Sequence, residues 1–329
     1  MDTFKGFETQ LYAVNEDSFA NIALSLFRFQ AQHNSLYRQY IDFLGINPAR
    51  VASVDELPFL PISFFKHHAI QTGNWIPQGE FHSSGTTGQS VSRHLIRDLT
   101  FYRQNAERCF AHFFGAPETY HFLAMLPSYL ERAESSLVAM MNHLIERSGS
   151  PFSGYYLHDY DRLIRDAGKL RNHGGQVMIW GVTYVLMELA ERYKPDLSHC
   201  ILVETGGMKG RRPEITREEL HTFLRESLNV GKVVSEYGMT ELQSQAYSLQ
   251  DGRFFCPPGM KVVVRDVSDP LERGIGGIGA LNFIDLANFH SIAFLETEDL
   301  GKINNDGSFS VVGRMDNADI RGCNLLVSR

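Results

Sequence analysis

Three groups of residues in this 329-residue chain have the types and spacing to handle a polyphosphate. Ser83-Ser84-Gly85-Thr86-Thr87-Gly88 combines hydroxyl donors with glycines that let the backbone turn tightly and aim its N–H groups at an anion. It lacks the Gly-Lys-Ser/Thr ending of the ATPase P-loop, and an ordinary Ser/Thr/Gly surface turn is the competing reading. Ser235-Glu236-Tyr237-Gly238-Met239-Thr240-Glu241 places an aromatic ring able to stack on a base beside a hydroxyl able to bond a phosphate. Its Glu241 offers a hard oxygen suited to Mg²⁺, although a capped helix start with an acidic first turn would read the same way. Glu298-Asp299-Leu300-Gly301, followed by Gly313-Arg314-Met315-Asp316-Asn317 and Ile320-Arg321-Gly322, contributes a carboxylate that can accept both hydroxyls of a ribose. The plainer readings are a turn residue for Asp299 and a surface ion pair for Arg314.

The elements between these groups would position them. Asp17 and Ser18 can cap a helix with Phe19, Ile22, Ala23, Leu26 and Phe27 at helical spacing, continuing through Tyr37, Ile41 and Leu44 to a stop at Gly45. Residues 55–80 read as a connection rich in Pro, Gly and aromatics. From about residue 120 the pattern alternates. The apolar run His121–Leu126, Val177–Trp180, Cys200–Glu204 and Lys232–Glu236 are strand-like; helices are expected over Ala133–Arg147, Tyr184–Tyr193 and from Pro213 to near Gly231. Such alternation predicts an α/β fold with a helix-covered parallel sheet, which binds ligands at the carboxyl ends of its strands. The second group directly follows one such strand. Lys261–Asp266 and Gly279–Ile284 are β-rich, so the expected domains are 1–250, helical and α/β, and 251–329, a smaller β-rich unit.

Composition is that of an ordinary globular protein, with 43% hydrophobic and 21% charged residues. The net charge of −7 disfavours a nucleic-acid role that depends on broad phosphate neutralisation. Cys109, Cys200, Cys256 and Cys323 are too far apart for a zinc-finger pattern and suit reduced thiols in a cytoplasmic protein. No signal peptide or membrane-spanning run is visible. No HExxH or GxSxG occurs, and the scattered histidines read as structural or solvated.

In this order, SSGTTG, YGMTE and TEDLG…GRMDN…IRG resemble the core motifs of the adenylate-forming superfamily of acyl-CoA synthetases, luciferases and peptide-synthetase adenylation domains. The resemblance spans about residues 80–322. It implies ATP and Mg²⁺ as cofactors and the N-terminal portion of such an enzyme as the fold. Ser83, Ser84, Gly85, Thr86, Thr87 and Gly88 would hold the β- and γ-phosphates, Thr240 the α-phosphate, Glu241 the metal, Asp299 the ribose and Arg314 the nucleotide. Tyr237 and Gly238 belong to the nucleotide-binding set. Gly206 and Gly207, after Thr205, resemble the adenine-binding loop, and Trp180-Gly181-Val182 more loosely resembles a segment lining the acyl pocket.

Superfamily members usually continue for about a hundred residues beyond the GRxD hinge, into a mobile domain carrying a lysine that assists adenylation. Here 13 residues follow Asp316, so this lysine is not expected. The chain is similar in this respect to the acyl-protein synthetases of bacterial bioluminescence, which take the acyl group onto a cysteine near the C-terminus and pass it to a reductase. Cys323 would be that cysteine, with Arg321 favouring its thiolate; an inert buried thiol is the alternative. Lys209, Arg211 and Arg212 read foremost as a solvated loop; the competing reading is that one of them replaces the missing cation. The resulting expectation is ATP-dependent activation of a carboxylic acid, a fatty acid by the resemblance, and transfer through Cys323 to an acyl-accepting protein. Two alternatives are transfer to coenzyme A or a carrier protein with Cys323 a bystander, and a non-catalytic nucleotide- or acyl-binding protein. Phe101, Tyr102, Phe110, Phe113 and Phe114 suit an apolar pocket or the core equally.

Overall fold

The computed structural model describes residues 3–83, 90–126, 134–206, 215–269, 272–273 and 277–315. The chain opens with helices α1 (Thr3–Tyr12), α2 (Glu16–His33) and α3 (Ser35–Phe43). The cap of α2 is Asn15, whose side chain accepts the Ser18 N–H while the Ser18 hydroxyl accepts the Asn15 N–H, a reciprocal capping box. The apolar pattern suggests one helix to Leu44, but Asn34 divides it. Its backbone is extended, and its side chain accepts the Tyr37 N–H to start α3. Gly45, at φ +69°, follows the end of α3.

A short strand β1 (Leu60–Pro61) leads into a 3-10 turn over Ile62–Lys66, then to the two-stranded sheet of β2 (Gly79–His82) and β3 (Arg93–Ile96). Helix α4 (Leu99–Phe114), capped by Asp98, precedes β4 (Tyr120–Met125), α5 (Ser136–Ser148), β5 (Gly154–Tyr155), α6 (Tyr160–Leu170), β6 (Gln176–Val182), α7 (Thr183–Arg192), β7 (Cys200–Thr205), α8 (Arg217–Leu228) and β8 (Lys232–Tyr237). These strands pair in parallel, in the order β5-β4-β6-β7-β8. Every residue of β4 is buried, as expected for a parallel strand covered on both faces. Helix α8 begins at Arg217 rather than Pro213. Thr216 and Glu219 form its capping box, and Asn229 in the left-handed region ends it.

Beyond β8 the strands are β9 (Ala246–Ser248), β10 (Phe254–Phe255), β11 (Met260–Arg265), β12 (Gly279–Asp285), β13 (Phe294–Ile303) and β14 (Phe309–Arg314). They are antiparallel and continue the same hydrogen-bonded sheet in the order β9-β10-β14-β13-β12-β11, with β1 parallel to β13. Among the described residues, twelve strands therefore form one mixed sheet beside the small β2–β3 sheet. The parallel sheet expected from the sequence is β4–β8, and the β-rich strands expected after residue 251 continue the same sheet.

Two large apolar cores result, beside a small cluster of Phe81, Ile96 and Tyr102. One joins α4–α8 to the parallel strands around Trp180, Phe122 and Leu224. The other packs α1–α3 on the antiparallel strands through Phe19, Phe27, Phe283 and Phe294. Asn34, 1% exposed, ties the second core to the rest: its amide donates to the Ser291 carbonyl at 3.0 Å. Asn34→Ala removes the α3 cap and a buried donor together. The expected cost is about 2 kcal/mol, read by urea unfolding; a cost below about 0.5 kcal/mol would remove Asn34 from this role.

Candidate active site at the parallel-to-antiparallel junction

The sheet changes from parallel to antiparallel at β8, and the chain that leaves β8 carries Tyr237 to Glu241. Tyr237 is buried between Phe283, Phe254 and Phe309. Its hydroxyl donates to Asp299 Oδ2 at 2.6 Å, across 62 residues of sequence. Asp299 lies within β13, not in a turn. Its strand neighbour across the ladder is Arg314 on β14. A bulge follows at Leu300/Gly301, where a Cβ on Gly301 would collide with the Ser310 carbonyl and Leu281. Burial raises the pKa of the Asp299 carboxyl, while Tyr237 and the Arg314 charge pull it down. The Arg314 guanidinium is mostly exposed and bonds Glu298 at 3.1 Å. The ion-pair reading of Arg314 thus coexists with its place beside Asp299.

The next turn is held from three sides. Buried His94 on β3 donates from Nδ1 to the Thr240 carbonyl at 2.8 Å, because a carbonyl can only accept. That leaves Nε2 to accept from the Ser291 hydroxyl at 2.8 Å. Asn288 donates to the Glu241 carbonyl at 2.8 Å. Fully buried Asp285 accepts from the Gln243 and Ser244 N–H groups at 2.8 and 2.9 Å and from the Ser244 hydroxyl at 2.7 Å. The 288–293 segment is fastened in turn to the first helices, since Gln30 and Asn34 donate to its carbonyls. The first 80 residues, which carry no readable motif, hold the site from behind. His94, Asp285, Asn288 and Ser291 were invisible to sequence reasoning because isolated buried polar residues show no spacing pattern.

The Glu241 side chain is 5% exposed. Burial raises its pKa, while the Ser92 hydroxyl and the charges of Arg314 and Lys66 lie close enough to lower it. Ser92 is bonded to the start of the first motif: Ser83 N–H donates to the Ser92 carbonyl at 3.0 Å, and Ser92 N–H donates to the Ser83 hydroxyl at 2.9 Å. A buried carboxyl with no salt bridge among the described residues suits a hard cation. Among the described residues no group of three or more His, Cys, Asp or Glu could hold a metal. A Mg²⁺ at Glu241 would therefore take its remaining ligands from phosphate and water, as this ion commonly does.

On the other face of β8, Glu236 accepts from Thr205, and burial pushes its carboxyl up to about 7. A Cβ on Gly238 would come within 2.5 Å of Glu236 Oε1, so the glycine gives this carboxyl its space. Neighbouring Glu204 is also raised by burial, but His221, Arg217 and Ser235 outweigh that effect and hold it at about 2. Gly206 follows β7 at φ +76°, a conformation favouring glycine.

The structure thus brings Ser83, Tyr237, Gly238, Thr240, Glu241, Asp299 and Arg314 to one region. Ser84, Gly85, Thr86, Thr87, Gly88, Gly207, Lys209, Arg211, Arg212, Asp316, Asn317, Arg321 and Cys323 lie outside the described residues. Burial raises the pKa of the Cys109 and Cys200 thiols to about 12 and that of Cys256 further, which suppresses all three as nucleophiles. Phe101, Tyr102 and Phe110 are core residues: Phe101 packs on Phe289, and the Tyr102 hydroxyl donates to the Ser136 carbonyl. Trp180 is fully buried against Phe110 and Tyr247.

No protein-family model and no curated relative matches the sequence. Solved structures do match. A 2-hydroxyisobutyryl-CoA ligase, in complex with 2-HIB-AMP and CoA, superposes with a TM-score of 0.68 at 16% identity, over 92% of this chain and 69% of that one. ATP-bound MatB from Rhodopseudomonas palustris gives 0.51 at 16% identity, over 71% of this chain and 47% of that one. A luciferase-like enzyme from the nonluminescent mealworm Zophobas morio gives 0.51 at 18%, over 72% and 57%. The chain spans about half the length of the MatB structures it matches. At these identities the likeness is one of fold. The chain has the α/β fold of the N-terminal portion of adenylate-forming enzymes.

Burial lowers the His94 pKa from 6.5 to about 4. The unfolded side chain takes up a proton near 6.5, so the native state is fully stabilised above that value and loses stability as the pH falls toward 4. The loss attributable to His94 is about 3 kcal/mol across that window. Urea unfolding of wild type and His94→Gln at pH 7 and pH 4.5 should show a markedly smaller acid loss in the variant; equal losses would contradict a buried neutral imidazole.

Proposed function

We propose that the chain activates a carboxylic acid with ATP, forming an acyl-adenylate and pyrophosphate. The observation that carries this reading is the hydrogen bond between Tyr237 and Asp299, which unites two motifs at one end of β8, with Glu241 four residues on. The fold likeness to ATP-bound MatB and to a CoA ligase in complex with 2-HIB-AMP supports it.

The residues divide the work by charge. Asp299 accepts ribose hydroxyls, and Tyr237, already bonded to it, offers a ring edge for the base. In the reaction a substrate carboxylate oxygen bonds to the α-phosphorus, and the bond to the pyrophosphate oxygen breaks. Negative charge grows on the phosphoryl oxygens, so donors and cations fixed in advance lower the barrier. Thr240 supplies a hydroxyl at the α-phosphate and Arg314 a cation, with Ser83–Gly88 cradling the outer phosphates and Gly206-Gly207 beside the base. A Mg²⁺ on Glu241, when bound, would neutralise phosphate charge.

The acyl-adenylate then meets Cys323. Its thiolate attacks the acyl carbon, AMP leaves, and a thioester forms for transfer to an acyl-accepting protein, a reductase in the bioluminescence synthetases that the chain resembles. The suppressed thiols of Cys109, Cys200 and Cys256 leave Cys323 as the candidate. The acid is proposed to be fatty on the same resemblance. A second reading, transfer to coenzyme A, is favoured by the ligase structure holding both 2-HIB-AMP and CoA.

Incubation with ATP, Mg²⁺ and a panel of fatty and aromatic acids should release pyrophosphate and add a hydroxylamine-labile acyl mass. Cys323→Ser should keep pyrophosphate release and lose the adduct, and Asp299→Ala should lower release by about tenfold or more. Release without any adduct moves the assignment to a soluble thiol acceptor. No release with any acid overturns the ligase reading.

A further inference from the structure

The 3-10 turn Ile62–Lys66 lies against β3 and β13, beside the site but outside all three motifs. Its Phe65 is buried with its ring edge-on to His94, the centroids 5.3 Å apart. His94 is the residue that holds the Thr240 carbonyl. Lys66, the last residue of the turn, is half-buried. Its ammonium has no hydrogen-bond or ion-pair partner among the described residues, yet it lies within electrostatic reach of Glu241.

The other described cations near the motifs are engaged. Arg314 is bonded to Glu298 and Arg93 to Glu80. A half-buried ammonium with no hydrogen-bond or ion-pair partner among the described residues keeps its donors for an anion. Ser92, close to the same carboxyl, is bonded to Ser83 at the base of the first motif. The anion in question therefore borders both motifs.

We infer that Lys66 binds the outer phosphates of the nucleoside triphosphate and the pyrophosphate that leaves, an inference that rests on the ATP reading of the site. When the bond between the α-phosphorus and the bridging oxygen breaks, the electron pair stays with pyrophosphate. Lys66 neutralises that charge as a fixed cation and transfers no proton. The N-terminal segment thereby supplies a working group as well as support.

The test is calorimetric binding of ATP with Mg²⁺, of pyrophosphate with Mg²⁺ and of AMP to wild type, Lys66→Ala and Lys66→Arg, each checked for an unchanged melting temperature. Lys66→Ala should weaken ATP and pyrophosphate by about tenfold or more while AMP stays within about twofold, and Lys66→Arg should recover most of the loss. Equal weakening of ATP and AMP would mark a merely structural role and overturn the assignment, as would unchanged ATP binding. A lower melting temperature in Lys66→Ala passes the decision to Lys66→Arg and Lys66→Gln, with the same ATP-against-AMP criterion. A wild-type protein that binds neither nucleotide overturns the ATP reading itself.

Discussion

The structure depends on one constraint: the turn that leaves β8 must bury most of its polar backbone inside the molecule. Asp285 meets most of it, with a carboxyl that accepts two backbone N–H groups and a hydroxyl from Gln243 and Ser244 and a further N–H from Ala287. His94 and Asn288 satisfy the carbonyls of Thr240 and Glu241. An unsatisfied buried polar group costs about 1–3 kcal/mol, so this set either closes together or does not form. The change from parallel to antiparallel pairing at β8 follows from the same turn, which reverses the chain into β9.

That network explains how widely separated segments reach a common place. The first helices reach the site through Gln30 and Asn34 on the 288–293 segment. The β2–β3 hairpin reaches it through His94 and Ser92. Strands β13 and β14 reach it through Asp299 and Arg314. The proposed chemistry needs charge complementarity that is in place before the phosphates arrive, and a buried frame with its backbone hydrogen-bonded supplies such rigidity. Burial raises the Glu241 and Asp299 carboxyls, so both gain from a cation or a hydroxyl donor when ligand binds.

Much of this was legible in sequence where a local rule operates. The parallel strands β4, β6, β7 and β8 announce themselves as short apolar runs, and α5 and α7 by periodicity. The motifs on β8 and β13 point to residues that the fold does bring together. What sequence could not show is long-range. Asn34, which divides the first helix by a local cap, also donates to an acceptor 257 residues away. Helix α4 reads as a source of pocket aromatics until its rings are seen packed into both cores. The tautomer of His94, the clamp of Asp285 and the nearness of Lys66 to Glu241 depend on pairs with no sequence proximity at all.

Hydrogen–deuterium exchange of the ligand-free protein, resolved over residues 237–245, tests the central claim most directly. The account predicts that the Gln243 and Ser244 amides are protected as deeply as those of β8 and β12, because their acceptor is a buried carboxylate fixed by the core. Exchange at the rate of an exposed loop would contradict it, and would mean that the turn forms only when a ligand arrives.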